Sequence, residues 1–231
     1  MTERPLVSVV LPVKNGARFI SEAIESVLVQ DYRPMEVIVV DAASTDGTRD
    51  IVSRVANQGV RLVDQSDRGI AAAWNQGIDA ARGEFLAFIS SDDRWLAGKL
   101  TRQLDLMREE PALMYTITHF RYFLQPDCAI PVTFNRALIG ASLVGRIMET
   151  LVARRAVFDV VGRFDIGFRT AEDVDWYARA KDEAVPMRVL DEVLLEKRVH
   201  DDNLSTSGVQ NTPHLMEALR RSIQRRRAEE Q

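Results

Sequence analysis

Residues Gly83–Trp95 read GEFLAFISSDDRW. The apolar run Phe85 to Ile89 has the length of a buried parallel strand, a pattern that a short buried helix segment shares. It stops at Ser90, Ser91, Asp92 and Asp93. Two adjacent carboxylates at the mouth of an apolar strand repel each other and cost desolvation unless positive charge meets them. In an open α/β sheet, ligands bind at the carboxyl ends of the strands. A divalent cation carrying a phosphorylated ligand meets both demands, because hard cations take one or two carboxylates plus phosphate oxygens. The alternative is a turn whose aspartates cap the next helix. This stretch alone supports both.

The residues before it settle the fold class. Val7–Val13 is a near-continuous apolar strand broken by Asn15-Gly16. Within Ala17–Gln30, Ile20, Ala23, Ile24, Val27 and Leu28 recur at helical spacing. Glu36–Val40 is a second buried strand; Ile51, Val52, Val55 and Ala56 mark a second helix, with Gly59 past its end. Val60–Val63 is a third strand. Ile70–Arg82 is a third helix, with Gly83 expected as its C′ residue. Strands alternating with amphipathic helices imply a parallel, right-handed βαβ sheet.

Beyond Trp95 the pattern loosens. It predicts a helix over Lys99–Glu110, one or two strands over 113–124 and a loop-rich stretch over Gln125–Arg146. Helices follow over Arg154–Val161, Asp173–Ala184 and His214–Arg227, with strands over Met187–Leu190 and Val193–Val199. There are no internal repeats, so one compact unit is expected, its mixed second half packed on the first.

Composition narrows the function classes. A formal charge of −4 over 231 residues gives no electrostatic case for nucleic acid as main partner. The single cysteine, Cys128, rules out an internal disulfide, fits a reducing compartment and has no motif around it. The N-terminal apolar run is too short for a signal peptide, and no stretch approaches the ~20 apolar residues of a membrane span. A cytoplasmic protein is expected.

Several polar residues fall on the predicted ligand side of the sheet. Asp41 ends the second strand, where a carboxylate can accept from a ribose hydroxyl or a base N–H. Ser44, Thr45 and Asp46 follow; capping explains Asp46 best. Pro12, Val13 and Asn15 end the first strand, where backbone groups could border a base while Asn15 could instead cap the next helix. Asp67-Arg68-Gly69 closes the same rim, and Arg68 is either a phosphate contact or an ordinary exposed charge. Asn75, among apolar neighbours in the third helix, needs a partner that backbone could supply.

The segments VSVVLPVKNG, VIVVDAASTDGT, GIAAAWNQGIDAARGEFLAFISSDD, AEDVDWYARA and RVHDDNLS closely resemble, in order and spacing, family 2 glycosyltransferases of the GT-A fold. The resemblance runs from about Val7 to Ser205. It implies a Rossmann-like, mostly parallel sheet flanked by helices, with residues 1–95 as the nucleotide-binding half and 96–210 as the mixed acceptor-side half; the residue pattern adds a C-terminal basic helix over 211–231. It further implies that Asp41 contacts the nucleoside of a nucleotide-sugar donor and that Asp92 lies near the ribose or metal. Asp93 would be the direct ligand of Mn²⁺ or Mg²⁺. Asp173, beside Glu172, would be the general base on an acceptor hydroxyl. His200 would approach the diphosphate or metal, with Arg198 near it, and the reaction would invert configuration.

The residue chemistry agrees with those roles. Single displacement needs one base opposite the leaving group and positive charge on the departing diphosphate. The partial charge at a helix N-terminus favours ionised Asp173, while Glu172 and Asp175 would raise its proton affinity. Two positions depart from the family pattern. Ala42 stands where a second acid often follows the strand-two aspartate, which leaves uridine as the expected but unsecured nucleoside. Ser90 stands where an acid often precedes Asp92 by two.

Two rival readings remain at this level. A nucleotidyltransferase would need a Gly-rich loop with a basic residue after the first strand, and none is present. A non-catalytic nucleotide-sugar binder has no use for Asp173. The acceptor is expected to be a glycan or glycolipid of surface polysaccharide assembly, by family analogy alone. Arg220, Arg221, Arg225, Arg226 and Arg227 share a predicted helix with Leu215, Leu219 and Ile223. Such a helix either rests on an anionic membrane or presents a solvated face.

Overall fold

The computed structural model describes residues 4–126, 128–130, 134–201, 203 and 212–229. Leu204 and Ser205, which end the last motif, lie outside them.

Four strands, β1 (Val7–Val13), β2 (Met35–Asp41), β3 (Val60–Asp64) and β4 (Phe85–Phe88), pair in parallel in the order β3-β2-β1-β4. The helices between them are α1 (Ile20–Leu28), α2 (Thr48–Ser53) and α3 (Ile70–Ala80). All seven residues of β1 are buried. Alternation explains why: Val7, Val9, Leu11 and Val13 pack with Ile20, Ile24 and Val27 of α1, while Val10 faces Trp74 and Ile78 of α3. A sheet covered on both faces needs such continuous apolar strands.

The remaining strands extend the same sheet with mixed directions. These are β5 (Arg94–Trp95), β6 (Tyr115–Leu124), β7 (Leu143–Val144), β8 (Val152–Arg154) and β9 (Met187–Val199), beside α4 (Lys99–Glu109), α5 (Val157–Val160), α6 (Glu172–Asp182) and α7 (Thr212–Glu229). Strand β8 joins β4 antiparallel, and the order continues β8-β6-β9-β5, with β7 on β6. The result is a mostly parallel GT-A-like first half and a mixed second half.

Several expectations change. The helix predicted over 154–161 shrinks to α5, because Arg154 ends β8, paired with Phe85. The two strands predicted over 187–199 are one strand, whose break is a register irregularity against β6 near His119. Gly83 is not a left-handed cap: α3 ends at Ala80, followed by extended Ala81. A Cβ at Gly83 would stand 2.6 Å from the Leu6 carbonyl oxygen and 2.7 Å from the Ser8 nitrogen. Its smallness serves strand approach. Gly77 plays the same part between α3 and Val10, whose Cγ1 would lie 2.1 Å from an added Cβ.

Candidate active site

The parallel register brings the ends of β1 and β2 together, with Val13 opposite Asp41 and Asp41 opposite Asp64. Asp41 is buried at 1% exposure. Its Oδ2 accepts from Arg49 Nη1 at 2.8 Å and from the Ser44 N–H at 3.2 Å, while Oδ1 has no hydrogen-bond partner. Arg49, a residue the sequence did not single out, therefore holds Asp41 from α2 and also pairs with Asp64.

Asn15 does not cap α1. It adopts left-handed φ of 51°, accepts from Thr45 N–H at 2.9 Å and donates its own N–H to Ser44 Oγ at 2.8 Å. These bonds sew the loop after β1 to the loop after β2. Pro12 and Val13 are buried within β1, and the Val13 carbonyl accepts from Ala42 N–H at 2.8 Å. Asp46 bonds Thr48 at the start of α2 and the Ala17 N–H, adding a third stitch.

The end of β4 meets β9 for a topological reason. Directly after Asp93 the chain forms β5, which pairs antiparallel with Leu195 and Glu196. That pairing lays Lys197, Arg198 and His200 beside Asp92 and Asp93. The two aspartates then part ways. Asp92 Oδ2 lies 3.1 Å from His200 Nε2 and accepts from Asn203 Nδ2 at 3.2 Å, with its side chain 28% exposed. Burial opposes ionisation of Asp92, but His200 and the Lys197 charge outweigh it and lower its pKa. His200 is braced by the Phe19 ring, 4.8 Å away between centroids.

Asp93 instead faces inward, 1% exposed. Its Oδ1 accepts from the Arg198 N–H at 2.9 Å and its Oδ2 from Lys197 Nζ at 3.0 Å. Burial and the charges of Asp92 and Glu149 favour the neutral acid, opposed by Lys197. Both oxygens act as acceptors, which fits the carboxylate, so we assign Asp93 as ionised.

Arg198, expected near a diphosphate, is a clamp within the protein. Nε donates to the Asp92 carbonyl at 2.8 Å, Nη1 to Gln125 and Nη2 to Glu22. Its guanidinium lies 4.6 Å from both the Phe19 and Phe123 ring centroids. With every nitrogen engaged and the residue buried, the diphosphate contact expected of it is not supported.

Two residues complete this cluster that the sequence left unmarked. The β4–β8 register, Ala87 opposite Val152, continues to set Ser90 opposite Glu149 on the turn Met148–Thr150. Ser90 Oγ donates to Glu149 Oε1 at 2.5 Å, and Lys197 Nζ donates to the same oxygen at 2.9 Å. Burial works against the Glu149 charge, but Lys197 and these bonds hold its carboxyl below the usual range. Burial also works against charged Lys197, and the three carboxylates around it keep its pKa well above the usual value. The signal available in the sequence was Lys197 itself, a charge inside the strand pattern EVLLEKRV that needs a buried partner.

Helix α6 opens on the acidic pair. Ala171 before it has left-handed φ of 66°, an uncommon conformation for a residue with a Cβ. Asp173 Oδ1 accepts from the Val174 N–H at 2.7 Å. Burial, and then the charge of Glu149, push Asp173 up to about 6, with Lys197 pulling the other way. The expected neighbour Asp175 is instead paired with Arg179 at 2.8 Å. Burial and the Asp173 charge push Glu172 up to about 8. Both carboxyls are thus held above the usual range, Glu172 further than Asp173. Glu149 and Lys197 act electrically on both Asp173 and Asp93, so the start of α6 lies near the end of β4.

The third rim segment follows β3 beside Asp41, whose carbonyl accepts from the Gln65 N–H at 2.9 Å. Asp67 and Arg68 are exposed, Gly69 has φ of 103°, and the Gln65 amide bonds the carbonyls of Asp67 and Gly69. Asn75 is satisfied by backbone: it donates to the Phe164 carbonyl at 2.8 Å and accepts from the Phe164 N–H at 2.9 Å. A shallow cleft between Asp67, Asn75, Asp79 and Ile166 includes none of the residues at the end of β4.

The model of the family described as "Glycosyl transferase family 2" matches residues 8–172, well over half of the chain. The Escherichia coli UDP-Glc:alpha-D-GlcNAc-diphosphoundecaprenol beta-1,3-glucosyltransferase WfaP is 30% identical over 131 residues, 56% of this chain and 51% of its own. S. aureus TarS in complex with UDP-GlcNAc superposes with a TM-score of 0.75 at 21% identity, covering 95% of this chain and 66% of TarS. The mannosyltransferase PcManGT from Pyrobaculum calidifontis, in complex with GDP-Man and Mn²⁺, gives 0.73 at 24% identity, covering 96% and 65%. The chain thus spans about half of that E. coli relative and about two thirds of either solved structure. Sequence motifs, sheet order and family match agree: the chain belongs to glycosyl transferase family 2 and is a glycosyltransferase of the GT-A fold.

Proposed function

We propose that the chain transfers a sugar, with inversion, from a nucleotide-diphosphate sugar to a hydroxyl of a glycan or glycolipid acceptor, with a divalent metal. The observation that carries this reading is Asp173. It opens α6 beside Glu172, with Oδ1 accepting from the Val174 N–H, and burial with the Glu149 charge pushes its carboxyl up to about 6, a range suited to a base near neutrality. A binding protein needs no such group; a displacement at a sugar carbon needs one.

Asp41, with an unpartnered Oδ1 in a buried rim, suits a base N–H of the nucleoside. Asp92 and His200 offer a carboxylate oxygen and an imidazole nitrogen 3.1 Å apart at the mouth of β4, a donor set that fits Mn²⁺ or Mg²⁺. Among the described residues no three His, Cys, Asp or Glu side chains form a complete metal site, so diphosphate oxygens and solvent would fill the rest. The metal role expected of Asp93 accordingly moves to Asp92, since Asp93 is committed to Lys197 and Arg198. The bound ion supplies positive charge for the departing diphosphate.

Asp173 takes the acceptor hydroxyl proton as that oxygen attacks the anomeric carbon opposite the diphosphate. The bond between that carbon and the diphosphate oxygen breaks, and its electron pair leaves with the phosphate. WfaP and TarS, by what their names and complexes state, support a UDP-sugar donor, while PcManGT binds GDP-Man; Ala42 leaves the nucleoside to experiment.

The glycolipid part of the reading draws on α7. Ala218 and Ser222 pack inward, and Arg221 and Arg225 turn inward to Asp165 and Asp182. Leu215, Leu219 and Ile223 face out beside Arg220 and Arg227. An apolar stripe flanked by arginines suits the cytoplasmic surface of an anionic membrane. No described helix is long and apolar enough to cross one.

A screen of UDP-, GDP- and dTDP-sugars for Mn²⁺-dependent release of free nucleotide tests the reading. One donor class should be hydrolysed by the wild type. Absence of turnover with every donor, with and without acceptor extracts, would overturn it.

A further inference from the structure

Lys197 reaches from β9 into the acidic cluster at the end of β4. Its Nζ lies 3.0 Å from Asp93 Oδ2 and 2.9 Å from Glu149 Oε1, and the Ser90 hydroxyl shares that Glu149 oxygen. The side chains of Lys197, Asp93 and Glu149 are 13%, 1% and 10% exposed. Hard oxygens from separate segments thus converge on one point, the arrangement that ordinarily holds a divalent ion. Here the point is filled by an ammonium tethered to the chain. Its place is fixed by pairing on both sides, β6 against Lys197 and β5 against the preceding Leu195 and Glu196.

The chemistry of position 90 makes the arrangement intelligible. Ser90 brings a hydroxyl where an acid would add a further negative charge beside Asp92 and Asp93. The carboxylate comes instead from Glu149, opposite Ser90 in register, and arrives with its own counter-charge. Buried Asp93 and Glu149 would otherwise stand uncompensated.

We propose that Lys197 is a built-in cation that closes the Asp93–Glu149 pair to divalent metal. The metal is then confined to Asp92 and His200 and is taken up with a nucleoside diphosphate, not by the free protein. The second clause rests on the metal-dependent reading above; the first stands on the Lys197 contacts alone. Two protein ligands form a weak site for an ion that keeps most of its coordination for water and phosphate. Removing the ammonium leaves two carboxylates and a hydroxyl facing one another, an oxygen set that a divalent ion can occupy in competition with a shared proton.

The test is a Mn²⁺ titration followed by the electron paramagnetic resonance of free Mn²⁺, with melting temperatures alongside. It uses the wild type, Lys197→Met and Lys197→Gln, each with and without UDP or GDP. Without nucleotide, the wild type should take up no Mn²⁺ at millimolar concentration, and with the right nucleotide it should. Both variants should bind Mn²⁺ without nucleotide roughly tenfold or more tightly than the wild type. Mn²⁺ should also restore the melting temperature they lose, an effect of binding only the folded state. Lys197→Gln keeps a donor for one carboxylate and covers a failure of Lys197→Met to fold. Glu149→Gln added to Lys197→Gln should abolish the gain.

Nucleotide-free Mn²⁺ binding as tight in the wild type as in the variants would overturn the proposal. So would variants that gain no Mn²⁺ affinity and no Mn²⁺-dependent stability. A wild type that takes up no Mn²⁺ even with nucleotide would instead contradict the metal-dependent reading, while a gain in the variants would still support closure by Lys197.

Discussion

In the half of the sheet from β1 to β4, polar residues reach the crevice because parallel strands end on the same side. In the half from β5 to β9 they arrive by cross-strand pairing: Glu149 opposite Ser90, and Lys197 and His200 laid beside Asp92 and Asp93 by the β5–β9 ladder. The first half offers a rim with one unpartnered acceptor, Asp41 Oδ1. The second offers groups whose proton and charge states are set by burial and by one another. On the reading proposed above, nucleoside binding falls to the regular half and proton transfer to the irregular one, while the metal takes one ligand from each, Asp92 and His200. Mutations on the two sides should separate accordingly.

The sharpest separation is Asp173→Asn. Removing a general base costs on the order of 10²–10⁴ in rate, while donor binding, measured calorimetrically, should stay near the wild-type value. Undiminished transfer would remove Asp173 as the base. The wild-type rate should rise with pH through about 6, as Asp173 loses its proton.

Gly77→Ala probes the scaffold of the binding half. The new methyl would meet Val10 Cγ1 at 2.1 Å. Overpacking of this kind costs about 1–3 kcal/mol, to be read from urea denaturation, whereas Asp173→Asn should cost no comparable stability.

Glu172→Gln separates charge from packing. The folded-state pKa of Glu172 is raised from 4.5 to about 8, so the folded chain holds that proton more tightly than the unfolded one. The resulting stability is fully present below pH 4.5 and is lost as the pH rises through 8. The amide cannot ionise, so its melting temperature relative to the wild type should improve above pH 8 compared with pH 4.5. A pH-independent difference would contradict a buried, protonated Glu172.

The smallest effect is expected at α7. Leu219→Glu places a charge on the outward stripe and should weaken flotation with phosphatidylglycerol vesicles while leaving transfer to a soluble acceptor unchanged. Equal flotation would make that face an ordinary solvated one.

The same contrast explains what could be read from the residues alone. Continuous apolar runs ending in Asp41 and in Ser90-Ser91-Asp92-Asp93 declare parallel strands and their ligand side, since the pattern and the acid are neighbours in sequence. The pairing of Lys197 with Glu149, by contrast, spans 48 positions and depends on the β8 register. Arg198 misled for a related reason: a basic residue in the RVHDDNLS segment looks available to phosphate until Glu22 and Gln125 are found around it. The different surroundings of Asp92 and Asp93 were hidden at the same level. Ser91 and Asp92 form a turn in which the Asp93 N–H donates to the Ser90 carbonyl, and the contacts from β9 then set Asp93 inward and Asp92 toward His200.

The most direct test is calorimetric titration of UDP and GDP, with and without Mn²⁺, into the wild type, Asp92→Asn and Asp173→Asn. The account predicts Mn²⁺-dependent binding of one nucleotide to the wild type, its loss in Asp92→Asn and its retention in Asp173→Asn. Binding that survives Asp92→Asn unchanged, or vanishes equally in Asp173→Asn, would contradict the division of labour between the two halves.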